Sequence, residues 1–310
     1  MKRRTAILIV VVLLLSLSLN VLLYLEFRNS PKYVSFSDAN TRETYDTVHH
    51  IREAHRTATG RGIRVAILDK YFGFRKHREL YADGRDFIDD PGAFEAISEH
   101  GYWMATTLKE IAPGVEVLAL NVRTGDKTRE ADAMIRAINW AVDEGVNILT
   151  YSAQPFRPEL RRGIDDAVRK AADRNVVTTF IHYPLSENLL PTGLFPAEGG
   201  ADGREPDLAI YHFDYNELLL FVYERHRKLI EAGRTPRSGD EIPYFSISSM
   251  SPVLAGIVAM MMEVKGGLAP AEYKRVLIAT SRSIEYKGRT VERVVDAPRA
   301  LEYLKTVYGR

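Results

Sequence analysis

Residues 60–80 read GRGIRVAILDKYFGFRKHREL, and the run IRVAIL at 63–68 sets the reading of the whole chain. It is short, aliphatic and not alternating, which marks a strand buried on both faces, as in a parallel sheet. Asp69 closes it. Working outward, similar runs recur at 115–122 (VEVLALNV), 147–151 (NILTY), 176–181 (VVTTFI) and 207–213 (DLAIYHF). Between them the apolar spacing turns helical: Ala131, Met134, Ile135, Ile138, Ala141 and Val142 share one face, Gly145 stops that helix, and 160–173 reads as a second. Strands alternating with helices predict βαβ units, and hence an α/β fold with a mostly parallel central sheet.

Two later segments depart from that rhythm. PVLAGIVAMMMEV at 252–264 is almost wholly apolar but too short to span a bilayer, so it predicts a helix buried in the core, with Ala255 and Gly256 permitting close packing. ELLLFVYERHRKLIEAG at 217–233 predicts an amphipathic helix, and with the Pro/Gly/Ser-containing stretch that follows it reads as an insertion over 217–243. No internal repeat or low-complexity tract is visible, which excludes a solenoid.

The chain has 310 residues, 42 Lys and Arg against 41 Asp and Glu, 45% hydrophobic residues and no cysteine. That composition excludes a disordered tail, a disulfide-stapled miniprotein and a thiolate metal site. It also provides no basic field to gather nucleic acid. Residues 6–25 (AILIVVVLLLSLSLNVLLYL) carry no charge and as a helix reach about 30 Å, one hydrocarbon core. The run ends in Tyr24-Leu25-Glu26 without small residues at a cleavage site, so it predicts an uncleaved transmembrane signal anchor. Lys2, Arg3 and Arg4 precede it. The expected organisation is a cytoplasmic tail (1–5), the anchor (6–25), a polar stalk (26–45) and an extracytoplasmic domain (46–310).

Ligands of open parallel sheets gather at the carboxyl ends of the strands, which directs attention to polar residues placed there. Asp69 ends the first strand, His100-Gly101 opens the helical segment YWMATTLKEIAP, and Ser248 lies in SISSMSP just before the buried helix. Singly, an Asp can terminate a strand, a His can cap a helix and a Ser can satisfy amides. Together they are the parts of nucleophilic serine chemistry: a hydroxyl, an imidazole to take its proton and a carboxylate to hold the imidazole's tautomer.

At these residues the chain resembles the subtilisin-like serine peptidases, over roughly residues 46–305. GRGIRVAILDKYFGFRKHREL resembles the family's first catalytic segment, with Gly60, Gly62, Asp69, His77 and Leu80 matching. HGYWMATTLKEIAPGVEVLALNV resembles the second, with His100 and Gly101 in the histidine motif, and SISSMSPVLAG resembles the serine motif, with Ser251, Pro252, Ala255 and Gly256 following Ser248. Ser249 is the alternative one residue away. AINWAVDEGVNILTYS, LAPAEYKRVLIATS and VVDAPRALEYL are similar to further segments in the family's order.

The resemblance implies a three-layer fold and a serine endopeptidase acting on peptide or protein substrates. Ser248 would be nucleophile, His100 general base and acid, and Asp69 the orienting carboxylate. The Ser248 backbone N–H would donate to the oxyanion, and Ser152 and Gln154 would border the substrate cleft. No cofactor is implied; calcium is often structural in the family, but no carboxylate cluster here has calcium-loop spacing. The eight histidines show no zinc-like pairing, and His49-His50 reads as a solvated helix face.

Several positions depart from the family's pattern. The Asn that normally supplies a second oxyanion donor is absent from VVTTFIHYPLSEN, where His182 is the nearest candidate and Asn188 lies farther along. Lys70 and Tyr71 replace the small residues after the aspartate, Tyr102 the small residue after His-Gly, and Ser246-Ile247 the Gly-Thr before the serine. These departures keep open an alternative: a catalytically silent relative that binds a peptide or a membrane partner.

Overall fold

The computed structural model describes residues 48–95, 100–153, 156–181, 183, 185–189, 208, 210, 247–286 and 289–309. The anchor at 6–25, the stalk, the insertion at 217–243 and most of the strand expected at 207–213 lie outside the described residues. Among the described residues no helix is long and apolar enough to cross a membrane.

Among the described residues, strand β1 (Arg64–Asp69) forms the centre of a five-stranded parallel sheet with β2 (Asp83–Asp86), β3 (Glu116–Asn121), β4 (Ile148–Tyr151) and β5 (Val177–Phe180), in the order β2-β3-β1-β4-β5. From β1 to Phe180 nearly every central-strand residue is buried, as the continuous apolar runs predict. The register sets Leu68 beside both Leu120 and Tyr151, and Asp69 beside Asn121, so the carboxyl ends of the three inner strands finish level. The chain fills one side of β1 with β2 and β3, then crosses to the other for β4. A crevice opens at the carboxyl ends where the order reverses in this way.

The helices are α1 (Ile51–Ala54), α2 (Pro91–Glu95), α3 (His100–Ile111), α4 (Lys127–Asp143), α5 (Pro158–Ala172), α6 (Met250–Val264), α7 (Pro270–Thr280) and α8 (Ala297–Tyr308). Helix α4 begins where the Asp126 carboxylate accepts from the amides of Thr128 and Arg129, and the chain leaves it through Gly145 at φ 72°. Helices α4 and α5 cover one sheet face, packing Met134, Ala137, Ile138, Ile164 and Val168 against Leu68, Leu118, Leu120 and Leu149. The alternate strand residues, Val65, Ile67, Val117 and Ile148, are equally buried and turn toward α3 and α6.

Helix α6 packs on β4 and β5 and against α3 and α8, and every residue from Met250 to Met262 is buried. An environment that is apolar on all sides accounts for its lack of a polar face. Gly256 makes the crossing with α3 possible, because a Cβ there would stand 2.6 Å from Ile111 Cγ2. The far end of α6 is tied down through Glu263, whose Oε2 accepts from the amides of Thr59 (2.7 Å), Gly60 (2.7 Å) and Arg61 (2.9 Å), just ahead of β1.

Two elements have no counterpart in the apolar pattern: β2 (DGRD) and the antiparallel hairpin of β6 (Arg282–Tyr286) with β7 (Arg289–Val294). Both are rich in charged residues, so backbone pairing forms them without an apolar face to announce it. The reading of His49-His50 as a solvated face is also corrected. His49 is fully buried, its Nδ1 donating to Val295 O at 2.7 Å, while His50 Nδ1 lies 3.2 Å from Asp296, which also meets Arg282 at 3.1 Å. Helix α1 docks on α8, and that contact encloses a ring the local sequence leaves free.

Candidate active site

Asp69 ends the central strand and has no exposed surface. Its Oδ2 accepts from His100 Nδ1 at 2.6 Å, and its Oδ1 accepts from Arg123 Nη1 at 3.0 Å and from the Lys70 amide at 2.9 Å. Burial pushes the carboxyl up. The charge and hydrogen bond of the His100 ring, the Arg123 guanidinium and the Lys70 amide outweigh it and hold the group below the usual carboxylate range.

His100 is the first residue of α3, and the glycine after it explains how close the helix comes. The Gly101 amide donates to Lys70 O at 2.9 Å, and a Cβ at Gly101 would stand 2.7 Å from that oxygen and 2.8 Å from the Phe72 ring. Only a residue without a side chain lets the helix start rest on the turn leaving β1, and that seating brings the imidazole to Asp69. With Nδ1–H donating to Asp69, the other ring nitrogen is the acceptor. His100 Nε2 lies 3.2 Å from Ser248 Oγ.

Ser248 sits in a 3-10 turn (Ile247–Ser249) that runs directly into α6. Ser248, whose hydroxyl meets the imidazole, keeps 9% of its surface exposed, whereas Ser249 has none. The end of β4 holds the turn in place: Ser152 Oγ donates to Ser248 O at 2.8 Å, and Ser251 Oγ donates to Tyr151 O at 3.0 Å. Ser152, expected to border the cleft, is thus buried and engaged with the backbone of the serine turn. The amino end of α6 places positive dipole potential beside Ser248.

Gln154 and His182 lie outside the described residues. Asn188 is no oxyanion donor: its Nδ2 donates to Phe180 O (2.7 Å) and Tyr183 O (3.0 Å), and its Oδ1 accepts from the Phe180 amide, so it caps the end of β5. Of the bulky neighbours, Tyr71 takes the left-handed φ of 61° that a glycine would adopt freely. Lys70 Nζ donates to the Tyr71 hydroxyl, and the Tyr102 ring stacks on His77 with centroids 4.1 Å apart. Among the described residues no group of His, Asp and Glu is arranged to hold a metal ion.

Arg123 was not among the residues singled out from sequence. It follows VEVLALNV directly, so the rule that drew attention to Asp69, a polar residue at a strand's carboxyl end, applies to it equally. A hydroxyl, an accepting imidazole nitrogen and an ionised buried carboxylate now stand in line, an arrangement able to draw the proton from Ser248 Oγ onto His100 Nε2.

No family model matches the chain. It is 26% identical over 265 residues to an intracellular serine protease of Paenibacillus polymyxa, with 75% of each chain covered. Among solved structures, MycP1 from the ESX-1 type VII secretion system superposes with a TM-score of 0.59 at 15% identity, covering 87% of this chain and 89% of that one. Fervidolysin from Fervidobacterium pennivorans, a keratinolytic enzyme related to subtilisin, superposes with a TM-score of 0.53 at 15% identity, covering 88% of this chain and 49% of its own.

Proposed function

We propose that the chain is a divergent subtilisin-like serine peptidase, an endopeptidase anchored in a membrane by residues 6–25 and acting on the extracytoplasmic side through Asp69, His100 and Ser248. The observation that carries the catalytic assignment is the chain of contacts from Asp69 Oδ2 to His100 Nδ1 at 2.6 Å and from His100 Nε2 to Ser248 Oγ at 3.2 Å. Anchoring and sidedness rest on the uncharged run at 6–25 and on Lys2, Arg3 and Arg4 before it.

In the reaction, Ser248 Oγ attacks the carbonyl carbon of a peptide while His100 Nε2 takes the hydroxyl proton. The resulting imidazolium faces Asp69, whose carboxylate is already ionised and aimed. Negative charge on the former carbonyl oxygen meets the Ser248 amide at the start of α6, with His182 as the proposed second donor. His100 then returns its proton to the leaving amine, the peptide C–N bond breaks, and an acyl ester on Ser248 remains. Water, deprotonated by the same imidazole, hydrolyses that ester and regenerates the hydroxyl.

The test uses cells expressing the full chain and a membrane-impermeant fluorophosphonate probe. Wild type and Ser249→Ala are expected to label in intact cells, and Ser248→Ala to stay unlabelled. Labelling that appears only after lysis would remove the extracytoplasmic assignment. A folded wild type that never labels would sink the catalytic one and favour the peptide-binding alternative.

A further inference from the structure

Arg123 touches Asp69, and the reaction scheme leaves it without a task. Its Nη1 donates to Asp69 Oδ1 at 3.0 Å, on the oxygen opposite the one that holds His100. The Lys70 amide reaches the same Oδ1, so that oxygen has two fixed donors and the carboxylate cannot turn without losing both. The segment carrying Arg123 is itself braced. The amides of Thr124 and Gly125 each donate to Glu130 Oε1 at 3.0 Å, and buried Glu130 pairs with Lys127. Arg123 Nε is buried and meets no acceptor among the described residues, so the guanidinium keeps its seat at the cost of an unpaired N–H.

We propose that Arg123 is a positioning residue for the peptidase reaction: it locks Asp69 onto His100, and its charge shares the Asp69 carboxylate with the imidazolium that forms during the reaction. The inference rests on the peptidase reading above. An imidazolium beside an isolated buried carboxylate is strongly favoured; a guanidinium on the other side of that carboxylate removes part of the attraction. Groups facing Asp69 from each surrounding element fit this account. His100 comes from α3, Arg123 from the segment after β3, and the Lys70 amide from the turn after β1, with Lys70 Nζ on the Tyr71 hydroxyl. Tyr151 of β4 and Tyr81 are phenols that burial pushes up, so they stay neutral, and Glu130 lies beyond Arg123 with Lys127 as its own counterion.

The experiment measures the rate of fluorophosphonate labelling of the detergent-solubilised full chain from acid to neutral pH. Wild type is compared with Arg123→Lys and with two neutral replacements of different polarity, Arg123→Gln and Arg123→Met, so that failure of one to fold leaves the other. Both neutral variants are expected to lose activity at a higher pH than wild type, the acid limb moving up by about one unit. Their plateau rates are expected to fall about tenfold, and the Lys variant should keep the wild-type acid limb. Neutral variants whose profiles merely drop in height with the acid limb unmoved would overturn the proposal, as would a Lys profile that shifts with them. Absence of labelling in folded wild type is a separate result, which removes the peptidase reading and this inference with it.

Discussion

Ser248 and Ser249 are adjacent and chemically identical, and burial separates them. Ser248 faces His100 Nε2 at 3.2 Å, while Ser249 is fully enclosed. Replacing Ser248 with Ala should lower turnover on a peptide substrate by on the order of 10⁴-fold or more, and replacing Ser249 should leave the mechanism in place. Ser152 is a subtler case. It holds the Ser248 carbonyl at 2.8 Å and has little exposed surface, so Ser152→Ala removes one buried hydrogen bond worth about 1 kcal/mol. About a fivefold fall in kcat with KM little changed is expected in steady-state assays; a rise in KM alone would return Ser152 to the substrate cleft. Asp69, His100 and Ser248 were all singled out from sequence, because motif order and residue chemistry mark them, and the structure brings the three together. Arg123 was not, because a lone arginine after a strand looks like any solvated one until its partner is visible.

Helix α6 does two jobs at its two ends. Its amino end seats Ser248, and near its carboxyl end Glu263 gathers three amides of the segment that feeds β1, the strand carrying Asp69. One buried rod therefore holds the turn of Ser248 and steadies the strand that ends in Asp69. Glu263→Ala strands those amides and should cost about 2 kcal/mol of stability, seen as a lower urea midpoint. Glu263→Gln, which keeps an accepting oxygen, should recover much of the loss; equal losses for both would show that packing and not the amide cluster matters. The buried character of α6 was plain in its apolar run, and its bounds extend the expected 252–264 only to Met250. The Glu263 contact spans roughly two hundred residues, and no local spacing could announce it.

For the domain as a whole, one acid-sensitive group is a ring buried where α1 meets α8. Burial lowers His49 from an ordinary 6.5 to about 4, with the nearby Arg282 also disfavouring its charge and Asp296 and the Val295 carbonyl partly compensating. The folded state refuses a proton that the unfolded chain accepts, so the stability from the neutral ring is complete above pH 6.5 and is lost progressively as pH falls toward 4. The total is about 3 kcal/mol. Denaturant midpoints of His49→Asn, which retains an amide donor for Val295, should fall less over that window than those of wild type; parallel curves would exclude His49 as the acid-labile group. The amino-acid sequence on its own determined the α/β class, the central strands and the buried helix, and it singled out Asp69, His100 and Ser248 as candidates, since apolar periodicity and motif chemistry are local properties. Only the tertiary structure decided that the Ser248 hydroxyl meets the imidazole, that Ser152 braces the serine turn, that Asn188 caps the end of β5, and that Arg123 and His49 are engaged. Each of those depends on which distant surfaces meet, and burial is a property of the meeting, not of the residue.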